Sequence, residues 1–234
     1  MTILAIVCEP PNCLLLADRR YEQTVNGITD RGATMEIHNL DTGATVERPF
    51  VKVRAHPTKG LIWATAGAGN LFYKGRNCVT ADLIGACFDQ LHGDSLDLAD
   101  LGAFLAPLVI ERGRRIPPPA DLHVLLGTAA AAFYLWFPWD PREGPPVVEQ
   151  VHRKLIPSPD TGGFFGVSGP TSPGQESFPP RGSSPETVLG FMRPLLERAI
   201  TFAQQNAGPD CDVAGPIDVA LVGPAGARIL GSSA

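Results

Sequence analysis

The chain has 234 residues, of which 44% are hydrophobic and 18% are charged, and its net charge is −5. This length suits one large domain, 1–234, and the composition supplies a buried core and excludes a disordered chain. Lys and Arg are not clustered with interleaved aromatic residues. Together with the acidic balance, this argues against nucleic-acid binding.

Short chemical motifs exclude several classes of site. Five cysteines without a close CxxC pair argue against a disulfide framework or structural zinc, and favour a reducing, cytoplasmic location. The five histidines form no HxxxH or HExxH pattern, so we expect neither a metal nor a cofactor. GxSxG and the phosphate-loop pattern are absent. The opening residues lack the basic region of a signal peptide, no apolar run reaches transmembrane length, and no membrane partner is expected.

The first part of the chain predicts paired strands. Thr2 to Val7 and Cys13 to Ala17 surround the turn sequence EPPN, which indicates a hairpin. Residues 22–48 are polar and carry several turn signals, so we expect an insertion with a small hairpin. Phe50 to Ala55 and Leu61 to Ala66 predict another strand pair, which leads into the small-residue run ATAGAG.

Helices and further strands are expected next. Near-helical spacing of apolar residues predicts helices over Leu71 to Leu91 and Leu98 to Arg114. Four consecutive strands of a helix-free meander are then expected at Leu122–Gly127, Ala132–Phe137, Val147–Val151 and Gly163–Ser168.

The last part predicts one long helix and a closing hairpin. A loop rich in Pro, Gly and Ser ends at Ser184, the expected N-cap of a helix from Pro185 to about Asn206, in which Pro194 predicts a kink. Ile217 to Val222 and Ala227 to Leu230 predict the hairpin. This order of elements indicates two sheets with helices outside, while the pattern alone does not order the layers.

Three segments carry a resemblance to a known family. TILAIV, a short turn and CLLLADRR resemble the start of a proteasome β subunit, in which a catalytic Thr begins one strand and an Asp follows the next apolar run. Asp18 lies sixteen positions after Thr2 (18 − 2), as in that family of N-terminal nucleophile (Ntn) hydrolases. FVKVRAHPTKGLIWATAGAGN resembles the family's lysine strand and oxyanion turn, at Lys52 and Gly67. FFGVSG resembles the segment that carries its catalytic-site serine, here Ser168.

The resemblance implies an α+β fold, a four-layer αββα sandwich of two mostly antiparallel sheets, and self-association into a ring or smaller homo-oligomer. It leaves a possible ATPase unfoldase partner unassigned. The chain departs from the family in its polar insertion and in the lack of a propeptide beyond Met1. Before the last hairpin, where the family carries an Asp and a Ser, the chain offers Asp210 or Asp212 and then Ala214.

The implied chemistry is amide hydrolysis, of a peptide or another amide. A threonine hydroxyl needs an adjacent base, and an N-terminal residue carries one in its α-amine, whose ordinary pKa is about 8. Thr2 would attack the carbonyl after Met1 is removed, and its own amine would carry the proton. Lys52 would lower the pKa of that amine, Asp18 would orient the lysine, and the Gly67 N–H would donate to the oxyanion.

Each assignment has an alternative. Thr2 also suits an ordinary processed start, and Asp18 could pair with the arginines that follow it. Lys52 could lie on a solvent face or in a polar site between sheets. Gly67 could serve only a tight turn, and Ser168 only its loop backbone. The alternative functions are a catalytically silent assembly or scaffold subunit, a small-amide or natural-product hydrolase, and an unrelated α/β binding domain.

Overall fold

A computed structural model gives the fold. It describes residues 2–19, 21–25, 28–32, 34–38, 45–49, 51–90, 97–157, 164, 178–207, 211, 213 and 215–232. The side chains of these residues are described too, except those within 21–49 and 231–232.

The strands of the described residues are β1 (Leu4–Glu9), β2 (Asn12–Asp18), β3 (Tyr21–Val25), β4 (Ile28–Gly32), β5 (Thr34–His38), β6 (Thr45–Pro49), β7 (Val53–His56), β8 (Leu61–Gly67), β9 (Asn70–Tyr73), β10 (Arg76–Val79), β11 (Leu122–Gly127), β12 (Ala132–Phe137), β13 (Val147–Val151), β14 (Arg153–Ile156), β15 (Ile217–Gly223) and β16 (Gly226–Ser232). The α-helices with described bounds are α1 (Thr80–Gln90), α2 (Leu98–Arg115) and α3 (Pro185–Ala207).

Two five-stranded antiparallel sheets form the body of the molecule. The first sheet has the order β14-β1-β2-β15-β16, and the second has the order β13-β12-β11-β8-β7. The remaining described strands form three two-stranded hairpins, β3-β4, β5-β6 and β9-β10. The polar segment 22–48 thus contributes two of these hairpins, where the sequence predicts one.

The apolar side chains show how the sheets and helices pack. Leu4 and Leu15 of the first sheet share one core with Ile62 and Leu125 of the second sheet, so these sheet faces meet. The other face of the first sheet packs on α3, and the other face of the second sheet packs on α1 and α2. The described residues therefore form an α+β structure with two large antiparallel sheets, an arrangement compatible with a sandwich.

Several local predictions are confirmed. The expected first and last hairpins are present as β1-β2 and β15-β16. The long helix begins at Pro185, and the Thr187 N–H donates to the Ser184 hydroxyl at 3.3 Å, as expected for an N-cap. In the described part of the chain, we find no helix with the length and apolar character needed to cross a membrane.

The helix expected from Leu71 is wrong over its first part. Residues 70–79 form the β9-β10 hairpin instead, and α1 begins only at Thr80. Lys74 and Gly75 lie between the two strands with φ values of 50° and 75°. Positive φ at both central residues matches the twist of a two-residue hairpin and is incompatible with a continuing right-handed helix.

The first three strands of the expected meander are confirmed as β11, β12 and β13, which are neighbours in the second sheet. After β13 the chain leaves the second sheet and forms β14, which pairs with β1 so that Leu4 lies opposite Ile156. The sequence did not predict β14 because it begins with the charged pair Arg153 and Lys154, which an edge strand tolerates. In the expected strand Gly163–Ser168, only Phe164 is described, and it is helical.

Candidate functional site

Asp18 holds the beginning of β1 in place. It ends β2 and is fully buried. Its Oδ1 accepts a hydrogen bond from the Ile3 N–H at 2.8 Å, and its own N–H donates to the Ile3 carbonyl at 3.2 Å. Because side chain and backbone both bind Ile3, the position of the adjacent Thr2 is fixed relative to this carboxylate. Thr2 is itself 9% exposed.

Lys52 brings a charge from the second sheet to the first. It precedes β7, in which Val53 pairs with Ala64 of β8, so Lys52 lies at one end of that sheet. Its Nζ donates to Asp18 Oδ2 at 2.8 Å, and the side chains of Lys52 and Asp18 are 4% and 0% exposed. The structure therefore brings together two of the predicted site residues, Lys52 and Asp18, and Asp18 binds Ile3, the residue that follows Thr2.

The electrostatic state of this pair follows from two opposing effects. Burial raises the pKa of Asp18, while the Lys52 ammonium and the Ile3 N–H oppose that shift. Removing an ion from water costs several kcal/mol, and a close partner of opposite charge offsets this cost. Protonating Asp18 would deprive the buried Lys52 ammonium of this partner, so the two charges support each other. The arrangement keeps a cation close to the start of β1.

A second buried carboxylate fixes the backbone of Lys52. Asp218 of β15 is 1% exposed, and its Oδ2 accepts from the Lys52 N–H at 3.4 Å. The Arg19 guanidinium donates to Asp218 Oδ1, at 3.1 Å from Nε and 2.6 Å from Nη2. Asp218 is not among the site residues predicted from the sequence. The sequence signal that could have identified it is a single acidic residue in the segment IDVALV, because the other residues are apolar and predict a strand that is buried on both faces.

An alternative expectation for Asp18 is an ion pair with Arg19 or Arg20, of which Arg20 lies outside the described residues. Arg19 instead pairs with Asp218, and Asp18 pairs with Lys52. Of the two ordinary explanations for Lys52, the solvent face is wrong, because Lys52 lies in a polar site between the sheets.

Gly67 is required by its surroundings. Its φ is 83°, and a Cβ built on it would lie 1.9 Å from the Asp121 carbonyl oxygen. That oxygen accepts from the Ala68 N–H at 2.8 Å, and the Thr80 hydroxyl donates to the Ala68 carbonyl at 2.6 Å. The loop after β8 is thus held from both sides. Gly67 is exposed and ends β8, the neighbouring strand to β7.

A cluster of polar and aromatic side chains continues from Gly67. His123, opposite Ala66 on the next strand, lies 2.8 Å through Nδ1 from the Tyr134 hydroxyl. The Lys154 ammonium lies 4.0 Å from the centre of the Tyr134 ring. Burial lowers the pKa of His123 and raises the pKa of Tyr134 to about 12. At neutral pH both groups are therefore uncharged, and each can donate and accept a hydrogen bond.

Two predicted residues lie outside the described part of the chain. These are Ser168 and Asp212, and the alternative acid Asp210 lies there too. Within the described residues, no three His, Cys, Asp or Glu side chains form a group that could hold a metal ion.

The comparisons with known proteins add no family. No protein-family model matches the chain, and a sequence comparison with curated proteins also finds no match. The geometry around Thr2, Asp18 and Lys52 is therefore the basis for a functional assignment.

Proposed function

We propose that the chain is an N-terminal threonine hydrolase with the four-layer αββα Ntn fold, in which Thr2 is the nucleophile after removal of Met1. The observation that carries this proposal is the buried pair of Asp18 and Lys52, held by hydrogen bonds against Ile3. A charged lysine beside the first residue of a chain is the arrangement that activates an N-terminal amine as a base.

The proposed reaction uses the two functional groups of one residue. The Thr2 amine takes the hydroxyl proton, directly or through a water, while Oγ attacks the carbonyl carbon of an amide. The amine then returns the proton to the leaving nitrogen as the C–N bond breaks. Water hydrolyses the remaining acyl ester and releases the free hydroxyl.

The neighbouring groups have separate proposed roles. The Lys52 charge lowers the pKa of the Thr2 amine by repulsion and keeps it able to accept a proton at neutral pH. Asp18 keeps Lys52 charged and oriented. The Gly67 N–H stabilises the oxyanion, a contribution of about 3 kcal/mol for one such donor. Ser168 and Asp212, or Asp210 in its place, supply the remaining polar groups of the site, as the family resemblance implies.

The proposed substrate is a peptide or another amide, and the proposed assembly is a homo-oligomer in the cytoplasm. One edge strand of each sheet supports self-association, because β13 exposes Val147 and Val148, and β16 exposes Ile229 and Leu230. Apolar side chains on open edges favour pairing with another chain. Light scattering should give a mass larger than that of a dimer. A strict monomer would contradict the assembly.

A catalytically silent scaffold subunit is the competing proposal. The pair of Asp18 and Lys52 joins the two sheets, and this structural role needs no free amine. The state of the N-terminus separates the two proposals, because a retained Met1 acylates the nitrogen that must act as the base.

Turnover of a panel of fluorogenic peptide amides tests the proposal. Thr2→Ala should abolish turnover and Lys52→Ala should lower it steeply, because each removes a group of the reaction. Thr2→Ser should retain part of it, because it keeps both the hydroxyl and the amine. The matched control is Thr201→Ala on the exposed side of α3, which should behave as the wild type. Equal turnover by a folded Thr2→Ala protein would refute the mechanism.

A further inference from the structure

Cys8 and Cys13 face each other across the β1-β2 hairpin, one position from its turn. They are direct partners in the strand register, and they are 1% and 0% exposed. The Cys8 N–H points away from β2, since it donates to the His152 carbonyl at 2.7 Å. At the other end, Asp18 donates to Ile3. Because the two pair types alternate along an antiparallel ladder, both observations make Cys8 and Cys13 a non-hydrogen-bonded pair.

This type of pair brings two side chains closest together. Its Cα atoms are typically about 4.5 Å apart, which lies within the range of about 4.4–6.8 Å found for disulfides. Each of the two thiols shifts the pKa of the other, as expected for side chains in contact. Gly127 of the second sheet leaves room for them, since a Cβ there would lie 2.5 Å from Cys13 Sγ. The two sulfurs can therefore join without a rearrangement of either strand.

The contact also makes the two thiols unequal. The neighbouring Cys13 thiol lowers the pKa of Cys8, although burial opposes this shift. The same contact, together with burial, raises the pKa of Cys13 well above its ordinary value. Cys8 is thus the thiol that ionises first, and Cys13 keeps its proton until it attacks the oxidised Cys8 sulfur.

We propose that Cys8 and Cys13 are an oxidation site at which a small hydroperoxide joins the two thiols into a cross-strand disulfide. In the first step, the Cys8 sulfur attacks the peroxide and the O–O bond breaks, which leaves a sulfenic acid and, from hydrogen peroxide, one water. In the second step, the Cys13 sulfur attacks the Cys8 sulfur, the S–O bond breaks and a second water leaves. Two thiols lose two electrons and two protons, and the peroxide receives them.

None of the other described cysteines has a cysteine as its strand partner. Cys78 of β10 lies opposite Leu71, Cys87 lies in α1, and Cys211 lies outside the strands. Burial raises the pKa of Cys87 to about 11. Cys8 and Cys13 are buried, but they are close in sequence to the exposed turn residues Pro10 and Pro11. A small oxidant therefore has a short route to the sulfurs when the turn opens locally.

The test is peroxide oxidation of the reduced full-length protein, followed by intact mass and peptide mapping without reductant. We expect a mass loss of about 2 Da, restored by dithiothreitol, and a peptide that links Cys8 to Cys13. Cys13→Ser should stop at a sulfenic acid on Cys8 that dimedone traps, whereas Cys87→Ser should still form the link. Failure of the folded wild-type protein to give the linked peptide, whether its cysteines stay reduced or oxidise elsewhere, would overturn the proposal.

Discussion

Lys52 and Arg54 lie two residues apart on the same segment, yet they form ion pairs of very different kinds. Each donates to a carboxylate at 2.8 Å, Lys52 to Asp18 and Arg54 to Asp82. The side chains of the first pair are 4% and 0% exposed, and those of the second are 22% and 55% exposed. Equal distances therefore do not mean equal interaction energies, because water screens the charges of the second pair but not those of the first.

The largest predicted effect comes from removing one partner of the buried pair. Lys52→Met leaves the Asp18 carboxylate buried without its ammonium, which should lower the free energy of unfolding by about 3–5 kcal/mol. Asp82→Asn, in the exposed pair, should change it by less than about 1 kcal/mol. Urea unfolding of both variants measures the difference.

A double variant sharpens this comparison. In Asp18→Asn combined with Lys52→Met, neither charge is left unpaired, so the loss should be smaller than the sum of the two single losses. Two results would contradict this comparison: strictly additive losses in the double variant, or equal losses for Lys52→Met and Asp82→Asn. Either would mean that the buried pair contributes no more to stability than the exposed pair.

An intermediate effect is expected at Gly67. Gly67→Ala places a methyl group 1.9 Å from the Asp121 carbonyl at a φ of 83°, so we expect a loss of roughly 2–4 kcal/mol. Gly60 also has a positive φ, 59°, but has open space around it. Gly60→Ala is therefore the matched control and should cost about 1 kcal/mol. Thermal unfolding compares them, and equal shifts would exclude the steric explanation.

The smallest effect concerns Glu9, at the opposite end of the hairpin from Asp18. Its carboxylate accepts from Arg153 at 2.7 Å and from the Gly182 N–H at 3.1 Å. Burial raises the pKa of Glu9, but these two hydrogen bonds outweigh it, and the net pKa lies below the ordinary 4.5. The stabilisation is therefore present above pH 4.5 and is lost as the pH falls through the folded-state pKa.

Glu9→Gln should accordingly cost about 1 kcal/mol at pH 7 and should make the loss of stability on acidification less steep. Glu197→Gln on the exposed side of α3 serves as the control. Denaturant unfolding between pH 7 and pH 3 measures both, and parallel curves for wild type and Glu9→Gln would contradict the assignment.

The pairing of Asp18 with Lys52 was expected only from the resemblance of their segments to proteasome β subunits. The local pattern alone left Lys52 open between a solvent face and a polar site between the sheets. The partner of Arg19 was not predictable from a local pattern, because Asp218 is 199 positions away and the two meet only through the pairing of β2 with β15. The hairpin at 70–79 was hidden because Lys74 adopts a left-handed conformation that its residue type does not signal.

The most direct test of the central claim is the intact mass of the purified protein before and after reaction with a peptide epoxyketone. This reagent forms a stable ring only with a free N-terminal amine and its neighbouring hydroxyl. The proposed mechanism predicts loss of Met1 and addition of one probe molecule, with no addition to Thr2→Ala. A retained Met1 and no addition would contradict it and would favour the silent scaffold.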